Sequence, residues 1–281
     1  NPWKHRVSSS SQAGPIGGVN WPGFFFSGVC TVFNCLYERL RRGAWSMRGL
    51  SILVMLLTLS SCGRYFHTPL RPSDDQTESM TINDDGSITY NLDRLSIDLK
   101  PMTDAELNRF TTVNSDLSLN PYTFGDWAAP GDDWTPARFT VFRLKVNNYQ
   151  YPKVKIDPLK ARITTSNNRQ YRPLSFAQLY DYYRAHWQGR TGQGRKAFQN
   201  RTDVLKRTLY SDAMIFSGRE EQGFLVFPVL HDDVGKIEVH IEDIVLRFDF
   251  ADVSVEEIDL SFSFQREIHQ GYTPAPAARH N

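Results

Sequence analysis

Three thiols, seven imidazoles and one glycine-rich basic loop are the groups in this chain that could do chemistry. Cys30 and Cys35 stand close together with no second pair downstream, so they lack the spacing of a zinc ribbon. His67, His186, His231, His240, His269 and His280 are scattered, without the HExxH or H-x-H spacing of a metal site. His231-Asp232-Asp233 precedes Val234-Gly235 between two strand-like stretches and reads as a hairpin turn. His240 alternates outward with Lys236 and Glu238, and so reads as an exposed strand residue. No G-x-S-x-G elbow is present, and the loop GRTGQGRK (Gly189 to Lys196) fails as a phosphate cradle. There Lys196 is followed by Ala197, so the hydroxyl that would hold magnesium is missing, and a helix rather than a strand precedes it. No catalytic constellation, metal, nucleotide or other cofactor is expected.

The basic run around that loop comprises Arg184, Arg190, Arg195, Lys196, Arg201, Lys206 and Arg207. It reads either as a patch for phosphate-bearing headgroups, anionic glycans or an acidic partner, or as a solvated helix face opposed by the acidic C-terminal strands. The wider charge pattern favours the second reading. Residues 138–207 carry 16 Lys/Arg against 3 Asp/Glu, and residues 212–267 carry 4 against 14. Opposite blocks that meet inside one fold compensate each other, which argues against nucleic-acid binding.

The third cysteine, Cys62, stands in a different setting. Met47-Arg48-Gly49 is a short start with one positive charge, and the ten residues Leu50 to Leu59 are largely apolar. That length fits the core of a secretory signal and falls well short of the ~20 residues of a bilayer-spanning helix. The run ends in Leu59-Ser60-Ser61-Cys62, which resembles the bacterial lipobox. The resemblance implies that the Cys62 sulfur is diacylated, that signal peptidase cuts before it, and that the new amine is acylated. Small residues let an extended backbone enter the protease, and the thiol takes up the lipid. Several acyl chains give lasting anchorage where one gives marginal binding. Gly63 in place of Asp leans the anchored product toward an outer membrane. Residues 1–46 are expected to be translated upstream sequence, with Met47 as the true start.

The elements behind Cys62 must carry whatever the anchor displays. Residues 62–78 (CGRYFHTPLRPSDDQTE) read as a lipidated polar tether. From Cys62 onward the chain has 26 Lys/Arg against 30 Asp/Glu. SMTI-NDDG-SITYNL reads as a hairpin through Asp85-Gly86, and Thr103-Asp104-Ala105-Glu106 as a capping box for a helix reaching about Phe110. The loop NPYTFGDWAAPGDDWTP uses Trp127 and Trp134 to pin itself to the core. FTVFRLKVNN, KVKID and KARITT-SNN-RQYRPLS supply strands, as do EQGFLVFPVL, GKIEVHI, DIVLRFDF and EEIDLSFSFQRE. Ile258, Leu260, Phe262 and Phe264 alternate with polar residues in the last of these. Short alternating strands with regular turns predict an antiparallel sandwich over residues 79–268. A helical hairpin is inserted over about 175–210. Its first helix is capped by Ser175 and carries the stripe Phe176, Leu179, Tyr180, Tyr183 and Trp187; its second turns Phe198, Leu205 and Leu209 inward. Residues 269–281 have the composition of a disordered tail.

The lipobox, the tether, LKPMTDAELNRF…NPYTFGDW and FSGREEQGFLVFPVL…IEDIVLRFDF…LSFSFQRE together resemble a family of bacterial lipoproteins to which no activity is assigned. The stretch Gly223 to Pro228 is similar to Ig-like sandwich domains. The resemblance implies a mainly β (α+β) chain with an antiparallel Ig-like β-sandwich, acting by binding or scaffolding envelope components rather than as an enzyme. Its partners would be a membrane, through lipid on Cys62, and an envelope protein. The alternative is a carrier of a small amphiphile or glycan. For it, Tyr180, Tyr183 and Trp187, with Arg195 and Lys196 nearby, would frame a pocket beneath the helical hairpin.

Overall fold

The computed structural model describes residues 64–111, 119–187 and 192–271. The elements in chain order are β1 (Arg64–His67), β2 (Arg71–Pro72), β3 (Met80–Ile82), β4 (Ile88–Leu92), β5 (Leu95–Met102) and helix α1 (Asp104–Thr111). Next come β6 (Thr140–Asn148), β7 (Lys153–Val154), β8 (Arg162–Thr165), β9 (Gln170–Tyr171), α2 (Phe176–Trp187) and α3 (Gln193–Thr208). β10 (Ile215–Phe216), β11 (Arg219–Phe227), β12 (Lys236–Phe248), β13 (Ser254–Gln265) and β14 (Ile268–Gly271) complete them. Every paired strand is antiparallel. One five-stranded sheet has the order β11-β6-β5-β4-β3, the other β2-β13-β12-β8-β9, and β1-β14 and β10-β7 form short pairs. The chain is therefore mainly β with added helices.

Alternation places the core. Phe142, Leu144 and Val146 of β6 point inward while Arg143 and Lys145 point out. These side chains meet Ile97 and Leu99 of β5, and Ile237, Val239, Phe262 and Phe264 of the second sheet, in one apolar cluster. Strand β11 is covered on both faces. Leu225 and Phe227 enter that cluster, and Phe224 and Val226 enter a second one with Leu179, Tyr183, Val204 and Leu205 of the two long helices.

Local signals placed several elements correctly. Gly86 takes φ 79° in the β3–β4 turn, and Asn168 takes φ 63° between β8 and β9. Ser175 and Gln178 exchange hydrogen bonds across the first turn of α2. At α1 the Glu106 backbone N–H donates to Thr103 Oγ1 at 3.3 Å, and the Thr103 backbone N–H donates to Glu106 Oε2 at 2.9 Å. Lys100 Nζ lies 2.9 Å from Glu106 Oε1 and steadies the box. Thr103→Ala should cost about 1 kcal/mol, read as a fall of roughly 2–4 °C in melting temperature.

Four expectations are corrected. GKIEVHI and DIVLRFDF form one 13-residue strand, β12, rather than two. Its inward residues change phase between Ile241 and Ile244, where the register with β13 shifts and Asp243 takes φ 53°; a bulge, not a turn, absorbs the slip. His231-Asp232-Asp233 is not a hairpin turn, because it carries the chain from β11 in one sheet to β12 in the other. The stretch from Arg64 is not a free tether. β1 pairs residue by residue with β14, from Arg64↔Gly271 to His67↔Ile268, and β2 pairs with the end of β13. The same pairing removes residues 269–271 from the expected tail; residues 272–281 lie outside the described residues, as do Cys30, Cys35 and Cys62.

Candidate functional site

The described residues among those expected to frame a pocket beneath the helical hairpin do not do so. Tyr183 is 2% exposed. Its hydroxyl donates to the Pro121 carbonyl and accepts from Arg138 Nη1, and burial pushes its pKa up to about 12. Tyr180 packs edge-on against Phe198, ring centroids 5.1 Å apart. Arg195 and Lys196 are exposed in the first turn of α3, and the Trp187 side chain lies outside the described residues. The space under the helices is filled by Leu107, Tyr122, Val141, Leu179, Val204 and Leu205. Tyr183, expected to line a cavity, is core, and Tyr180 is partly buried.

The basic run also divides. Arg201 is buried, with its guanidinium over the Tyr183 ring, whereas Lys206 and Arg207 are exposed. The C-terminal acids have partners of their own. They pair with the strands and loops of the basic block: Lys145–Glu220, Lys153–Asp252, Lys160–Asp243, Arg162–Glu242 and Arg169–Asp233. The two charge blocks thus compensate inside one fold. Among the described residues no group of His, Cys, Asp and Glu could hold a metal ion. His231 and Asp233 act structurally: the His231 carbonyl accepts from Arg266 Nη2 at 2.6 Å, and Asp233 Oδ1 accepts from Arg169 Nη1 at 2.6 Å.

A cavity of about 770 Å³ opens elsewhere, between the N-terminal stretch 64–70 and the ends of β5, β6 and β11. Such a volume lies within the ~300–1,000 Å³ of small-molecule sites. Its apolar walls include Phe66, Leu70, Met102, Phe139, Val141 and Leu230. Trp134 also lines it and meets the Phe66 ring edge-on at 5.3 Å. The Trp134 loop is thereby pinned to the core, while Trp127 stays half-exposed.

The polar groups of the cavity are few. Arg266 donates through Nε to the Val234 carbonyl at 2.7 Å and through Nη2 to the His231 carbonyl, so its guanidinium is fixed by backbone oxygens rather than by a carboxylate. His67 lies beside it; burial and then the Arg266 charge hold the imidazole below its ordinary pKa. Asp104, at the start of α1, also lines the cavity, and burial alone pushes its carboxyl up to about 6. The first turn of a helix favours a carboxylate, but desolvation outweighs that here.

Asp104 links the cavity to pH. The unfolded chain releases this proton near 3.8, whereas the folded chain holds it up to about 6. Stability therefore falls as pH rises through that window, and the loss is complete above it. Asp104→Asn should melt close to wild type at pH 3.5 and increasingly above it toward pH 7. A difference that stayed constant with pH would contradict this reading.

Neither the cavity nor the burial of Arg201 was found from the sequence. The cavity walls come from five separated places in the chain, around residues 64–70, 101–104, 134–141, 229–232 and Arg266, and none of them shows the others locally. No family model matches the chain, and no curated protein matches it. Among solved structures it is similar to the yjhA protein from Bacillus subtilis, at 10% identity over 62% of this chain and 93% of that one, with a TM-score of 0.30. It is also similar to MPT63, a secreted protein from Mycobacterium tuberculosis, at 14% identity over 57% and 80% of the two chains, TM-score 0.24.

Proposed function

We propose that this chain is an envelope lipoprotein, anchored through acylated Cys62 and held at an outer membrane, whose Ig-like β-sandwich takes up a small amphiphile. The observation that carries this reading is the position of the 770 Å³ cavity, whose wall begins at Arg64, two residues after Cys62. β1, the strand that walls this cavity and pairs with β14, is the first described element after Cys62 in the sequence, which supports a cavity mouth near an anchor there. Apolar walls suit an acyl chain, and the fixed Arg266 guanidinium beside His67 suits an anionic head. The sandwich reading rests on the two five-stranded sheets sharing one apolar cluster.

Fluorescence quenching by a brominated C18 fatty acid tests the cavity. It is carried out on the full chain bearing Cys62→Ala, free of membrane. Quenching should saturate, be absent with the unbrominated acid, and be lost in Trp134→Phe. Ala137→Phe, which narrows the cavity, should weaken binding at least tenfold. Non-saturating quenching, or binding indifferent to Ala137→Phe, would remove the amphiphile from this reading and leave a scaffolding role.

A further inference from the structure

The long β12–β13 hairpin runs past the rest of its sheet. On the outer side of β13, β2 pairs only with Phe264 and Gln265, and the backbone of Ser263 bonds to Ser73 and the Gln76 side chain. Among the described residues nothing pairs with residues 254–261 on that side. Ser254, Val255, Glu256 and Glu257 are exposed in succession, so this half of the strand is covered on neither face. The turn beyond it exposes Phe250 completely and Val253 by 58%. Open strand edges and grouped apolar side chains mark binding surfaces.

The inner side of the same hairpin shows what kind of segment fits it. The stretch Lys153-Val154-Lys155-Ile156 lies antiparallel to β12, where Lys155 and Val245 exchange backbone hydrogen bonds of 3.0 and 2.9 Å. Lys153 pairs with Asp252, and its ammonium also sits 4.6 Å from the Phe248 ring centroid. Lys160 and Arg162 follow, with Asp243 and Glu242. An extended chain alternating Lys with Val or Ile thus satisfies one edge of this acidic hairpin. Acids stand on this half of β13 too: Glu257 is exposed, Glu256 is exposed with Arg247 Nη1 at 3.5 Å, and Asp259 accepts from the Asp243 N–H at 2.8 Å; among the described residues no basic segment lies beside the outer edge.

We propose that the free outer edge of β13, residues 254–261, is a strand-addition site for an extended partner-protein segment in which Lys or Arg alternates with aliphatic residues. Backbone hydrogen bonds supply the pairing, the acids select the charge, and Val255 with Phe250 and Val253 supplies apolar contact. A second copy of this chain is a poor occupant, because pairing β13 with itself sets Glu256, Glu257 and Asp259 against one another. The far end of the site, Ser254, lies at the opposite end of β13 from Gln265, roughly 35 Å of strand away at ~3.3 Å per residue. On the anchor reading it faces away from the membrane, but the pairing itself does not require lipid on Cys62.

The test is hydrogen–deuterium exchange on the full chain bearing Cys62→Ala, with the peptide Lys-Val-Lys-Val-Lys-Val-Lys as probe. Its failure leaves the anchor untouched, since no lipid is involved. Exchange of residues 254–261 should slow on adding peptide, saturably and less at high salt. Glu256→Lys with Glu257→Lys should weaken the effect at least tenfold while leaving the melting curve near wild type. A peptide with Pro at its centre should give none. Three results would overturn the proposal: no slowing, equal slowing by a Glu-Val alternating peptide, or slowing that appears with protein concentration alone.

Discussion

Gly223→Ala should destabilise the domain by about 3 kcal/mol, lowering its melting temperature by roughly 6–12 °C. A Cβ on Gly223 would stand 2.4 Å from Tyr210 Cα and 2.5 Å from Tyr210 N, distances at which backbone must move. The approach is close because the chain leaving the second long helix docks on β11: the Tyr210 N–H donates to the Phe224 carbonyl at 3.1 Å, and Leu209 bridges Phe224 in parallel. Glycine is required there for space rather than for a left-handed backbone. Gly235 is the control. A Cβ there would meet the Arg266 carbonyl at an ordinary 3.6 Å, and Gly235→Ala should stay within about 1 kcal/mol of wild type. Thermal melting of the two variants side by side separates them, and equal losses would contradict the packing account.

Cys62→Ala carries the largest expected effect on location. If the sulfur and the new amine of Cys62 hold the acyl chains, the substitution removes every one of them. The protein should then leave the membrane fraction for the soluble one, or accumulate unprocessed with residues 47–61 still attached. Several chains make anchorage lasting, so the change should be close to complete rather than partial. Fractionation followed by blotting reads it.

The sequence disclosed those parts of the fold that depend on short-range patterns. Period-two alternation located β6 and β13, the capping box at Thr103 and the cap at Ser175 located two helix starts, and Asp85-Gly86 located a turn. It concealed what depends on three-dimensional neighbours. The bulge at Asp243 shifts the alternation of β12 by one residue, and a shifted alternation reads as two strands. β1 and β14 are each four residues long and are held mainly by each other across some 200 residues, so neither shows its pairing locally. Tyr180 and Tyr183 lie on a stripe that fits a pocket wall and a packed core equally well. For Tyr183 the filling of the space beneath the helices by Val204 and Leu205 decides for core. Arg201 is a cation that period alone would place in solvent; stacking over Tyr183 keeps it inside.

The position of the cavity gains its meaning from the anchor, so the anchor is the claim on which the account turns. Intact mass measurement of the protein extracted from its native membrane tests that claim most directly. The account predicts a chain that begins at Cys62 and carries the added mass of acyl groups, localised to that residue by fragmentation. A membrane-extracted chain that retained residues 1–61, or one whose Cys62 bore no acyl mass, would contradict it.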